Sequence, residues 1–171
     1  QVEHCCLFFY KHIINNIFVP TFGMVGGTGS TISLLIAIFI FSRQKSAKQV
    51  ARLSLAPGLF NINEPVIFGL PIVFNLPLMI PFVLLPAIGI YFAWLCTTLG
   101  FMSRCVVMIP WTTPPIINAW LSTAGSMGAV ITQIGCIVVA VLIYLPFVKV
   151  ASRRAEQAQI DAIAQQQKRA A

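Results

Sequence analysis

The chain has 171 residues, of which 58% are hydrophobic and only 9% charged, with a formal net charge of +7. A soluble domain carries about 25% charged residues, so this chain has too little polar surface to cover itself in water. The composition excludes an ordinary cytosolic enzyme, a disordered tail and a small secreted disulfide scaffold, and points to a membrane protein.

The chain begins at Gln1 rather than Met and shows no signal-peptide pattern, so it is expected to be a processed piece or a fragment. His4, Cys5, Cys6 and His12 cluster near this start, but nothing completes four well-spaced metal ligands. Cys96, Cys105 and Cys136 are scattered through apolar sequence and read as small hydrophobes. Residues Ile13 to Phe41 are apolar but broken by Pro20, Gly23, Gly26, Gly27 and Gly29. A straight span needs about 20 apolar residues, and the uninterrupted part starts only at Ile32, so a broken helix is expected. Ser42 to Arg52 then holds four cations and reads as a basic loop or short surface helix.

Leu53 to Leu76 carries Pro57, Gly58, Pro65, Gly69 and Pro71. Each internal proline removes a helix hydrogen bond, and freed backbone groups must be buried in protein or line a wet cavity. The segment therefore reads as a re-entrant hairpin. Leu78 to Phe101 is long enough to cross a bilayer, with Pro81 and Pro86 predicting a kink. The run Pro110-Trp111-Thr112-Thr113-Pro114-Pro115 interrupts the pattern again, and Ile116 to Ala124 reads as the outgoing arm of a second hairpin. Met127 to Val148 is the last clean span, followed from Ala151 by an Ala- and Gln-rich tail expected to be a solvated helix. The two proline-broken loops, one before each clean span, resemble a rough duplication.

The fold class that follows is an all-α polytopic membrane protein, with transmembrane helices and re-entrant, proline-broken hairpins. Cations gather in the Arg43–Arg52 segment and the tail, while Leu53 to Phe147 holds only Glu64 and Arg104 as charges. The positive-inside bias places both basic segments on the cytoplasmic side. No interleaving of aromatic and basic residues supports nucleic-acid binding.

Glu64 is the outstanding residue, because a carboxylate within a membrane segment costs about 2.5–3.5 kcal/mol on insertion scales and marks a pathway by default. In Asn61-Ile62-Asn63-Glu64-Pro65, the proline disfavours helix at the residue before it. Two amides and a carboxylate then meet, a set suited to sugar hydroxyls or a hydrated cation. The structural alternative is a glutamate capping a half-helix or pairing with Arg104. Trp111 offers a face for a sugar ring, with Thr112 and Thr113 adding hydroxyls; as an alternative it is an interfacial anchor. The Gly26–Thr31 run lacks the lysine and preceding strand of a phosphate loop, so its glycines serve close approach, either to a ligand or between helices. No catalytic triad or metal-ligand cluster can be assembled, and no cofactor is expected.

The blocks FVPTFGMVGGTGSTISLLIAI, LSLAPGLFNINEPVIFGLPIVFNLPLMIPFVLLP, PWTTPPII and LIYLPFVKV, in this order, resemble the membrane (IIC) component of the sugar phosphotransferase system. The resemblance is to its lactose/cellobiose/diacetylchitobiose group, covers roughly Phe18 to Val150, and corresponds to the C-terminal part of such a permease. It implies three regions: an atypical segment 1–17, a sugar-binding and transport region 18–150, and a cytoplasmic basic tail 151–171. It also implies a homodimer in the bacterial inner membrane, taking up a β-linked disaccharide that a phosphorylated IIB protein then phosphorylates. By the same resemblance Glu64 and Asn63 bind hydroxyls, Trp111 stacks on a ring, and Gly27 and Thr28 lie near the sugar. The family's functional histidine, in a loop well before the Gly-rich segment, has no counterpart here, and the dimerisation spans are missing. The chain itself is then a non-catalytic subunit. A channel or ion-coupled carrier with Glu64 as proton or cation site, and a non-transporting remnant, are the other expectations.

Overall fold

The computed structural model describes residues 14–42, 44–70, 72 and 76–170. The candidates at His4, Cys5, Cys6 and His12 lie outside the described residues. Those that are described form helices and connecting loops, without a strand among them.

A short π-helical segment, Val19–Gly23, is the first element among the described residues, and a glycine-rich loop leads from it into α1, Thr31–Phe41. The broken helix expected over 13–41 is therefore present, with its break at the glycines. Helix α2, Lys45–Leu59, is longer than the basic loop or short helix expected there, and runs on through Pro57. Proline in the last turn removes only its own N–H bond to the preceding turn, which a helix end tolerates better than its middle. The loop that follows returns the chain into α3, Glu64–Gly69, where Pro65 sits in the first turn, the helix position that tolerates it best. The break of the first hairpin thus falls between Leu59 and Glu64, and α2 is its incoming arm.

Helix α4, Leu76–Thr98, is continuous through Pro81 and Pro86. After the Trp111 loop come α5, Ile117–Ser122, and α6, Met127–Ala170. The last is a correction to the expected boundary at Val148: its 44 residues form one uninterrupted helix, so the tail continues the span. At 1.5 Å per residue it is about 66 Å long, twice the hydrocarbon thickness of about 30 Å. Helix α4 and the part of α6 from Met127 to Arg154 are each long and apolar enough to cross a membrane.

Helix α6 is the spine against which α1, α4 and α5 pack. One apolar cluster joins Leu34, Leu35 and Ile38 of α1 to Leu85 of α4 and to Ala140, Tyr144 and Val148 of α6. A second gathers Phe18, Phe22, Ala93, Met102, Ala119 and Cys136 around the π-helical segment. There the π-helical segment lies close against α4: a Cβ on Gly89 would fall 2.7 Å from the Phe22 carbonyl oxygen. The outward faces of α4 and α6 stay apolar, with Val83, Leu84, Tyr91, Ile131 and Leu142 exposed.

Candidate functional site

The turn after α2 is set by its own sequence. Asn61 takes a left-handed conformation, φ +60, and its N–H bonds the Gly58 carbonyl at 3.2 Å while the Ile62 N–H reaches the Pro57 carbonyl at 3.0 Å. This paired arrangement is a common way to end a helix, and Asn is the residue after Gly that accepts it most readily. The side chain of Asn61 then does a second job. Its Oδ1 accepts from the Gly26 N–H at 2.8 Å, and its Nδ2 donates to the carbonyls of Trp111 at 2.6 Å and Thr113 at 3.2 Å. One amide therefore ties together three segments far apart in sequence.

Asn63 stands at the N-cap position of α3, without a capping bond from its side chain, and is almost fully buried. Its Nδ2 donates to the Thr28 carbonyl at 3.3 Å. Gly27, at φ +96, lies against it so closely that a Cβ would sit 2.8 Å from the Asn63 Cβ. The glycine run thus provides close approach of backbone to the Asn-Glu-Pro loop. The Thr31 hydroxyl donates to the Gly26 carbonyl and the Tyr144 hydroxyl to the Gly29 carbonyl, the latter at 2.6 Å, so α1 and α6 both hold the loop's shape.

A second amide works in the same way on the other side. Gln133 of α6 is buried; its Nε2 donates to the Thr21 carbonyl at 2.8 Å and its Oε1 accepts from the Ile116 N–H at 2.5 Å. Ile116 has φ +75, a conformation costly for a β-branched residue. The bond from Gln133 helps to hold that strained exit from the Trp111 loop.

The structure brings the predicted residues Gly27, Thr28, Asn63, Glu64 and Trp111 into one cluster of loops but gives them different surroundings. Gly27 and Asn63 are buried in the framework, whereas Thr28, Glu64 and Trp111 are exposed, the indole to 62%. Glu64 lies in the first turn of α3, where the helix dipole favours its charge. Trp111 borders a recess of about 490 Å3 with Thr21, Pro110 and Asn118, which neither Glu64 nor Thr28 lines. The expected site residues are neighbours through the backbone, then, and not the walls of one closed cavity.

Gln133 is a residue that reasoning from sequence did not single out, while the Asn61 amide, counted there toward a sugar, is instead bonded to Gly26, Trp111 and Thr113. Asn61 stood within the quoted Asn-Glu-Pro block; Gln133, a lone amide in an apolar span, had a signal in its polarity alone. Among the described residues no three or more His, Cys, Asp or Glu side chains gather as for a metal. Cys105, in the loop between α4 and α5, has its thiol pushed up to about 11 by burial, against the opposing effect of its contact with the Ser122 hydroxyl. It is a protonated, unreactive thiol at neutral pH.

Residues 8–86 match the family described as Phosphotransferase system, EIIC, so the match begins ahead of Ile17. The chain is 41% identical over 158 residues to the cellobiose-specific EIIC component of Lactococcus lactis, which covers 88% of this chain and 32% of the relative. The chain belongs to the phosphotransferase EIIC family. It is also 35% identical over 134 residues to a lactose-specific EIICB component of Staphylococcus aureus, covering 78% of this chain and 23% of that one. Among solved structures, the transporter ChbC, the IIC component of an N,N'-diacetylchitobiose-specific phosphotransferase system, superposes with a TM-score of 0.76. The identity is 37%, over 82% of this chain and 33% of ChbC. The chain spans about a third or less of the length of these proteins. As an EIIC protein with two helices fit to cross a bilayer, it is an integral membrane protein.

Proposed function

We propose that this chain forms the sugar-holding part of a phosphotransferase permease that imports a β-linked disaccharide for phosphorylation by a IIB partner. The observation that carries the reading is the exposed Glu64 at the edge of a hydrogen-bonded loop cluster that also displays Thr28 and the Trp111 indole. Buried amides hold the frame, while a carboxylate, a hydroxyl and an aromatic face remain outside it. That division suits a polyol, whose hydroxyls donate to a carboxylate and whose apolar ring face stacks on an indole. The relatives named for cellobiose, lactose and N,N'-diacetylchitobiose support a β-linked disaccharide as the sugar.

In this reading Glu64 accepts hydrogen bonds from the sugar, Asn63 sets the position of Glu64 from the start of α3, and Trp111 stacks on a ring. Gly27 and Thr28 form the wall that closes against Asn63. The sugar-binding and transport region is 18–150, preceded by segment 1–17 and followed by the tail 151–171. Its apolar outer faces meet lipid in the bacterial inner membrane, and the working permease is a homodimer. The basic segment of α2 and the tail lie on the cytoplasmic side, where the phosphorylated IIB protein approaches; the EIICB relative, which by its name joins both components, supports such a partner. The chain supplies the site and the IIB protein supplies the phosphoryl group.

The test is sugar binding to the purified chain in detergent, wild type against Glu64→Gln, with cellobiose and N,N'-diacetylchitobiose. A loss of about tenfold or more on substitution is expected, because a charge-assisted hydrogen bond becomes a neutral one. Equal affinity in both proteins would show that the site is wrongly placed. Uptake that collapses with the proton gradient, and is indifferent to the soluble phosphotransfer proteins, would instead make Glu64 a proton site.

A further inference from the structure

A second, unrelated recess lies at the other end of the spine, where α1 ends and α6 leaves its apolar stretch. It has a volume of about 690 Å3 and is lined by Lys48 of α2 and by Lys149 and Arg153 of α6, with Glu156 as the single opposing carboxylate. Ser42 and Ser152 add hydroxyls, and Ile40 and Phe41 form its apolar wall. Three cations from two helices thus face one cavity, and none of these residues belongs to the loop cluster around Glu64.

The recess is built rather than incidental in two respects. The Lys149 ammonium sits 5.0 Å from the centroid of the Phe41 ring, a cation–π contact that fixes one cation at the mouth. Its position along the spine is also specific, because Lys149 is the first charge after the apolar run of α6 that begins at Met127, and Arg153 follows one turn later. The cations therefore stand at the level where lipid headgroups lie. Ile40 is 60% exposed on the same wall, so apolar surface continues from the basic recess along α1 in the direction an acyl chain takes.

We infer that this recess binds the phosphate of an anionic phospholipid headgroup, with the lipid's acyl chain along Ile40 and Phe41. Lys48, Lys149 and Arg153 neutralise the phosphate from both sides, and the Ser42 and Ser152 hydroxyls donate to its free oxygens. A zwitterionic lipid brings its own cation into a cavity that already holds three, so the recess discriminates against it. Glu156 cancels one of the three cations, so the recess keeps an excess of positive charge that a net-negative headgroup satisfies better than a zwitterionic one. Free inorganic phosphate shares the headgroup chemistry but leaves the apolar wall unused.

Native mass spectrometry of the delipidated full chain in detergent tests the proposal, with short-chain phosphatidylglycerol and phosphatidylcholine as probes. Phosphatidylglycerol is expected to bind at least tenfold more tightly. Removing two cations by K149Q/R153Q should cost roughly a factor of five per cation, whereas K45Q/R52Q, two exposed cations of α2 outside the recess, should cost little. Helical circular dichroism of each variant checks that the fold survives. Equal losses from both pairs, or none from either, would overturn the proposal, since the attraction would then be diffuse or absent. Displacement of the lipid by millimolar phosphate would reassign the recess to a free anion and likewise overturn it. Retained lipid with lost co-sedimentation of a phosphorylated IIB protein would make it a protein-docking surface instead. Sugar binding, which depends on Glu64, should be the same in all variants.

Discussion

The two proline-flanked loops do opposite things with their side chains. The Asn61–Asn63 loop turns its amides inward, where they bond the backbone of the glycine loop and of the Trp111 segment, and leaves the Glu64 carboxylate exposed. The Pro110–Pro115 loop offers carbonyls to be bonded and turns its indole outward. One loop is a frame made by side chains; the other is held through its main chain and is free to use its side chain on a ligand. Resemblance between the two in proline content therefore says nothing about their shared role. What separates them is whether the polar atoms are spent inside the protein.

Substitutions can break this comparison apart. The largest effect on stability is expected from Gly27→Ala, since a methyl group would meet Asn63 at 2.8 Å with a backbone φ that L-residues rarely adopt; the chain should fail to yield a monodisperse peak in detergent on size-exclusion chromatography. Asn61→Gly preserves the left-handed turn but removes bonds to Gly26, Trp111 and Thr113. It should destabilise by about 2–4 kcal/mol, read as a lower midpoint in thermal unfolding, and an unchanged midpoint would show that the amide is not the tie between the loops. Trp111→Ala should do the reverse: about 1–2 kcal/mol of sugar affinity lost on titration calorimetry, with the thermal midpoint unaltered because the indole packs on little. The smallest change is expected from Tyr144→Phe, which removes only the hydroxyl bond to Gly29 and should lower stability by about 1 kcal/mol.

Much of the architecture was legible because the bilayer limits the choices. A run such as Leu76–Thr98 without a charge has to be helical where water is absent, and the glycine run before Thr31 marked a break, although Pro57, Pro81, Pro86 and Pro146 all lie inside helices. Boundaries were harder to read. The hairpin expected to begin at Leu53 carries Pro57, yet α2 runs from Lys45 through that proline, and α6 continues past Val148 because its Ala- and Gln-rich tail has the same helical preference as the span. Among site residues, Glu64 stood out by its cost in an apolar segment. Gln133 did not, since a neutral amide costs less there than a charge and its two partners are backbone groups of other segments that no local pattern reveals.

By itself the sequence determined that this is a helical membrane chain broken at its glycine run, and which carboxylate and indole are candidates for a ligand, because those follow from hydropathy, backbone chemistry and the penalty on a lone charge. Only the tertiary structure decided which polar groups are already spent. Asn61 and Asn63 look alike in sequence beside Glu64, but their hydrogen bonds run to residues 26, 28, 111 and 113. Such pairings depend on how the helices bring distant loops to one place, and nothing within a few residues of either asparagine encodes them.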